Sequence, residues 1–546
     1  MPLLTDEAPK APWEEVVAQK KATQAKLVAA FSEVNGKHTA QDGALLDTAS
    51  ADELVDQLVK GKTTCTAVAN AYIKRAIQVH AESNCLTEIV FHDALQHASQ
   101  LDEQLKHLST EGRVSNLPLL GVPVTLKDQF NVKGYDTTIG YVGRANAPAS
   151  DDAVVVKMLR SLGAVIIAKT NLPQSIMWCE TENPLWGLTT NPVHRGYTPG
   201  GSTGGEAALL ACKASMLGWG TDIGGSIRIP SHMMGIYGLK PSSARLPYRG
   251  VPVSTEGQEH VPSAIGPMAR SLDTIHLTMT SLINARPWDM DARCAPIPWR
   301  EDMYTDTLNG PLTIGVLFED GVVRPTPPIT RVLRQAVDVL RDAGHDVIEW
   351  NGELHEQCIR VMDKFYTVDG GEDIRRDIAA GGEPFIPHVE RLVNRGKPIT
   401  VYEYWQLNRK KVDLQQAYLE KWDSIRSSKT GRKADIILMP PMPHTAVPHQ
   451  GCRWVGYTKV WNFLDYPALV IPGGAVCDED AKEPWGFEAW GPEDEWNAKL
   501  WENHRDEMAS LRLPVGLQIV GRKLEEERVL AAGKVVDDLL RTKRDA

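Results

Sequence analysis

The chain has 546 residues, enough for one large domain or several ordinary ones, so it has ample length to bury a core. Lys and Arg number 59 against 70 Asp and Glu, a net charge of −11 that repels a phosphate backbone and argues against nucleic acid as a partner. Hydrophobic residues at 42% and charged residues at 24% exclude a disordered or fibrous chain, and no apolar run approaches the roughly 18 residues of a transmembrane segment. The opening MPLLTDEAPK places acids where a secretory leader needs a positive region, so secretion is not expected. Stretches 13–31, 51–58 and 63–82 carry intermittently apolar faces and predict packing helices in an N-terminal helical segment over about 1–100. From 117 to 126 the pattern turns strand-like and delivers Lys127 and Asp128 at the end of an apolar run, where a charge needs a reason. A helix over 151–160, a turn at Gly163 and a strand over 164–168 set a helix, glycine, strand rhythm. It recurs in a helix over 206–217 before Gly218, a helix over 329–340 with a strand over 347–350, and a strand over 516–520 with a helix over 525–540. That rhythm predicts an α/β fold, a mixed sheet core covered by helices. Stretches rich in Pro, Gly and acids near 285–306 and 478–503 are expected to be surface excursions from it.

The densest chemical signal is PGGSTGG over 199–205 followed by GTDIGGSIRIP over 220–230. Glycines let a backbone approach a ligand closely, and successive exposed amides can hold an anion. The amides of Ile223, Gly224 and Gly225 beside Ser226 are therefore candidates for stabilising negative charge on a carbonyl oxygen. From glycine density alone, ordinary turn formation explains these loops equally well. A nucleotide loop fits worse: Gly218, Gly220 and Gly224 give GxGxxxG rather than GxGxxG, and no Walker lysine completes the Gly200 cluster. GxSxG is met around Ser202, but no apolar strand leads into it. His194 and His232 lie near these serines as alternative bases, although a lone histidine is more often structural.

These segments resemble the amidase signature family. The resemblance is carried by LKD at 126–128, GGSTGGEAAL at 200–209 and GTDIGGSIRIP at 220–230, and continues through GLKPS at 238–242, AIGPMARS at 264–271, YPAL at 466–469 and PVGLQIVG at 514–521. It implies a single amidase domain over 1–546, with Lys127 as base, Ser202 as a bridging serine after a cis peptide, and Ser226 as nucleophile, the serines standing 24 positions apart. Chemistry agrees, because a lysine ordinarily titrates near about 10.4 and would accept a proton at neutral pH only if desolvated. Thr203 replaces a second serine found in many relatives and is expected to adjust a secondary hydrogen bond, while Asp222 and Arg228 are expected to brace the glycine loop. Asn171, within KTNLPQ, is expected to orient the loop or the substrate.

No HExxH or Cys and His ligand set is present, and the family resemblance implies neither metal nor organic cofactor. Eight scattered cysteines without a CxxC pair predict free thiols in a reducing, cytoplasmic setting. The flanks, including KDQF at 127–130, are most similar to fungal acetamidases and more distantly to fatty-acid amide hydrolases. The expected partner is a small aliphatic amide, hydrolysed to acid and ammonia or amine through an acyl-enzyme, with a homodimer left open. A pocket above Ser226 formed by Met177, Trp178, Ile223 and Trp461 would set specificity, unless these residues belong to the core. Long-chain or aryl amides and carbamates are the enzymatic alternatives. A glutamine-hydrolysing amidotransferase subunit and an inactive binding protein are the readings from other classes.

Overall fold

The computed structural model describes residues 12–36, 38–107, 117–482 and 484–545. Its strands run β1 (Leu86–Ile89), β2 (Pro123–Lys127), β3 (Val165–Thr170), β4 (Glu182–Asn183), β5 (Gly187–Leu188) and β6 (Leu217–Asp222). Then come β7 (Tyr237–Lys240), β8 (Ala264–Ala269), β9 (Thr313–Val316), β10 (Asp346–Glu349), β11 (Ile436–Met439), β12 (Ala468–Ala475) and β13 (Pro514–Val520). Apart from the small β4–β5 pair, they form one 11-stranded sheet in the order β1-β3-β2-β6-β8-β7-β12-β13-β11-β9-β10. The sheet is mixed: β3, β2 and β6 are parallel neighbours, as are β11, β9 and β10, while the central strands from β6 to β11 pair antiparallel.

What positions the site is the register of the first parallel trio. Every residue of β2, β3 and β6 is buried, as strands covered on both faces require. Lys127 lies opposite Thr170, so β2 and β3 finish together, and Leu126 lies opposite Trp219, so β6 runs on past the end of β2 to Asp222. Behind them the helix Gly204–Ala211 carries Glu206 inward, where it accepts hydrogen bonds from Thr125 and from Thr170 Oγ1 (2.9 Å) and ties the helix to β2 and β3. Burial pushes the Glu206 carboxyl up to about 8, so it sits there largely neutral at pH 7.

The predicted elements are present with shifted ends. The strand expected over 117–126 begins at Pro123, because Gly121 adopts φ +65° and donates to Gly163 O at 2.8 Å in a turn. The helix expected over 206–217 stops at Ala211, since Lys213 takes a left-handed φ of 59° and Leu217 already opens β6. One continuous hydrophobic cluster extends from Phe31 to Leu540, and a second gathers Trp350, Tyr418, Trp422, Trp461 and Tyr466 under the helix Val401–Ser424. Each fully buried aliphatic or aromatic side chain in such a cluster contributes about 1.5 to 3 kcal/mol. Within 285–306 lie the short 3-10 turn Pro287–Asp289 and the start of the helix Glu301–Asn309. The 478–503 stretch holds the helix Asp478–Ala481 and most of Pro492–Ser510, whose Leu500 and Trp501 are buried in the main cluster.

Candidate active site

Lys127 ends β2 with its side chain fully buried. Its Nζ donates to Ser202 Oγ at 2.6 Å and to Thr221 Oγ1 at 2.8 Å. Neither partner is a carboxylate. Burial therefore dominates and pulls the lysine down to about 7, against a smaller upward pull from Asp222. Thr221 in turn donates to Gln129 Oε1 at 2.7 Å, and Gln129 Nε2 reaches Tyr248 OH at 3.3 Å. With its own proton directed at Gln129, Thr221 can only accept from Lys127.

Ser202 follows a cis peptide bond with Gly201. A Cβ on Gly201 would lie 2.5 Å from Glu180 O and 2.6 Å from Glu180 N, so no side chain fits there. The adjacent Thr203 donates its backbone N–H to Ser226 O at 3.2 Å, which joins the two serine loops. Among the described residues its hydroxyl has no hydrogen-bond partner, and its link to the second loop runs through the backbone.

Ser226 is half-buried and lines a cavity of about 120 Å³ with Met177, Trp178, Cys179, Gly201, Ile223, Gly224 and Tyr366 among its walls. Among the described residues its hydroxyl makes no hydrogen bond, so Lys127 and Ser202 are linked while the contact from Ser202 to Ser226 is open. A larger cavity of about 800 Å³, lined by Tyr248, Arg249 and Arg293, touches none of Lys127, Ser202 or Ser226.

The loop carrying Ser226 is held from both sides. Asp222 Oδ1 accepts from Gly225 N at 2.8 Å, and Oδ2 accepts from Ile227 N at 3.1 Å. The Arg228 guanidinium grips both oxygens at 2.9 and 3.0 Å and also donates to Thr458 O, Gln518 Oε1 and Asn462 Oδ1. Burial alone would raise the Asp222 carboxyl, but Arg228, with help from Lys240 and Asn462, holds it well below the usual carboxylate range. Tyr366 OH donates to Ile223 O at 3.0 Å and Thr458 Oγ1 to Gly224 O at 2.7 Å, which fixes both peptide planes. Gly225 has φ +131°, and a Cβ there would strike Thr458 Oγ1. Of the three amides expected to face an oxyanion, Gly225 N–H is thus already engaged by Asp222, whereas those of Ile223 and Gly224 make no hydrogen bond among the described residues.

Asn171 is buried: it donates to Gly187 O and Thr189 Oγ1 and accepts from Asn183 and Leu172 N, and it does not line the cavity. Trp461 lies in the core, edge-on to His355 and Tyr418, while Met177, Trp178 and Ile223 do line the cavity. His232 accepts from Gly516 N at 2.9 Å and hydrogen-bonds His444 O at 2.9 Å, so both ring nitrogens are occupied; burial lowers it to about 4. His194 sits at the surface beside Glu507. Sequence reasoning missed Thr221, Gln129, Tyr366, Thr458 and Asn462. Of these, Gln129 stood inside the quoted KDQF and Thr221 inside GTDIGGSIRIP, where β6 alternation marks Thr221 as facing the opposite side from Asp222.

A family model described as Amidase matches residues 67–530. The chain is 49% identical over 531 residues to "Amidase 1" of Gibberella moniliformis, covering 97% of this chain and 99% of that protein. It is 38% identical over 549 residues to "Acetamidase" of Emericella nidulans, covering 97% and 98%. The solved structure of "Fatty acid amide hydrolase" superposes with a TM-score of 0.83 at 30% identity, covering 98% of this chain and 91% of that one.

Proposed function

The chain belongs to the Amidase family, and from that premise we propose that it is a serine amidohydrolase of small aliphatic amides, acting through Lys127, Ser202 and Ser226. One observation carries the reading: a fully buried lysine with a pKa of about 7, hydrogen-bonded to Ser202 at 2.6 Å beside the cavity that Ser226 lines. Ser226 Oγ attacks the amide carbon while its proton passes through Ser202 to neutral Lys127. Negative charge gathers on the carbonyl oxygen and is met by the free amides of Ile223 and Gly224. Collapse breaks the C–N bond, the proton returns to the departing nitrogen, and water then hydrolyses the serine ester. Substrate binding has to complete the contact between Ser202 and Ser226, as catalytic hydrogen bonds often tighten only when the substrate is present. Asp222 and Arg228 are positioning residues for the loop, and Thr203 and Asn171 hold neighbouring segments.

The cavity of about 120 Å³ favours short acyl groups, being well below the roughly 300 Å³ at which pockets for drug-sized ligands begin. A single amidase domain in a cytoplasmic setting completes the proposal, supported by one continuous main core and eight free cysteines. A substrate panel tests it. From acetamide and propionamide to long-chain, aryl and carbamate substrates, kcat/KM should fall as the acyl chain outgrows the cavity, each misfit costing about 1 to 3 kcal/mol. A steady rise with chain length, or a carbamate that exceeds every simple amide, would show that small aliphatic amides are not the substrate class.

A further inference from the structure

The cavity that holds Ser226 opens between segments that are unexpectedly basic for a chain of net charge −11. Its walls include Arg395, which follows the helix Pro387–Val393, Arg453, just before the helix Gly456–Phe463, and Lys459 within that helix. One acid, Asp363, lines it too, and Lys459 neutralises it at 2.5 Å. Arg395 and Arg453 have no carboxylate partner among the described residues, and both are exposed. Arg453 is nevertheless steadied, with its guanidinium 5.1 Å from the centre of the Trp496 ring.

A second observation reports the local field. His388 stacks on the cavity wall at Trp178, with ring centroids 4.1 Å apart. Burial first, and then Arg391 and Arg453, lower its pKa to about 4, so the imidazole is neutral and the surplus positive charge belongs to the arginines. Two unpaired guanidinium groups at the rim of a low-dielectric cleft focus the field toward the reacting carbonyl. Such groups suit a planar carboxylate, which they can grip with paired hydrogen bonds.

We infer that the mouth of this cavity is a carboxylate-binding subsite formed by Arg395 and Arg453, and that the enzyme's preferred amides carry a carboxylate on the acyl chain or on the departing amine. The inference rests on Ser226 as the nucleophile and narrows the substrate class around it. The carboxylate stays outside the reacting bonds: the amide C–N bond is the one broken, and the charged end serves to orient it.

The test compares near-isosteric pairs on the purified full chain. Succinamate against succinamide places the charge on the acyl side, and N-acetylglycine against N-acetylglycinamide places it on the amine side. In at least one pair the carboxylate member should lead in kcat/KM by roughly tenfold, the scale of one charge-assisted hydrogen bond. That ratio should shrink in Arg395→Gln and Arg453→Gln, and also in the unaltered protein as salt rises from about 0.02 M to about 0.3 M. Hydrolysis of the neutral members with no preference for charge in either pair overturns the subsite and leaves the serine reading standing. So does a preference that survives both substitutions and high salt. If no pair member is hydrolysed and an activated acyl probe fails to modify Ser226, the serine reading falls and the subsite falls with it.

Discussion

Lys127 would be a cation in water, and its neighbours decide that it need not be one here. Its two hydrogen-bond partners are hydroxyls, and the nearest acid acting on it, Asp222, is already gripped by Arg228. Burial therefore outweighs attraction, and the lysine titrates near about 7 instead of 10.5. A base must be deprotonated to act, so pre-steady-state acylation should rise with pH through about 7 and level off above it. Lys127→Arg should abolish that acylation at every pH in the range, since a guanidinium keeps its proton, and Lys127→Ala should cost more at neutral pH than Ser202→Ala. Stopped-flow acylation of the three variants reads this directly. Substantial acylation by the arginine variant, or a rise centred near 10, would show that Lys127 is not the base.

At the scale of elements, the site depends on one strand register and one loop brace. The sequence made the end of β2 legible as a place where an apolar run stops at Lys127, because a charge after a buried strand is conspicuous, whereas β6 carried no such mark and its first residue, Leu217, falls at the end of the helix expected over 206–217. It could not show that Thr221 faces Lys127, since that depends on β2 and β6 being parallel neighbours with Leu126 opposite Trp219. The helix end at Ala211 was hidden for a similar reason: apolar residues continue through Met216 and Leu217, and the break comes from the left-handed turn at Lys213. The brace of Asp222 and Arg228 was legible because both charges stand among isoleucines. Asp222→Asn leaves the Arg228 charge buried and uncompensated and weakens the contacts to Gly225 N and Ile227 N, so it should destabilise the protein by about 3 to 5 kcal/mol. Chemical denaturation of the variant measures this, and a loss below about 1 kcal/mol would contradict the brace.

For the whole molecule, the cavity is assembled from segments hundreds of residues apart, which is why its lining was only partly foreseeable. Met177, Trp178 and Ile223 lie near the serine loops in sequence and were legible as wall residues. Tyr366 and Thr458 come from the helical insertions after β10 and β11, and no local pattern marks a hydroxyl that will fix a carbonyl across the fold. Trp461 shows the converse, a large aromatic close in sequence to Thr458 but absorbed by the core cluster around Tyr418. The central claim is that this assembly makes Ser226 the nucleophile, and it is tested on the whole chain by mass spectrometry after brief exposure to an activated short-acyl substrate. The account predicts one acyl group per chain, mapped to the peptide containing Ser226 and absent from a folded Ser226→Ala variant. An adduct on Ser202 or on a cysteine such as Cys179, with Ser226 unmodified, would contradict it.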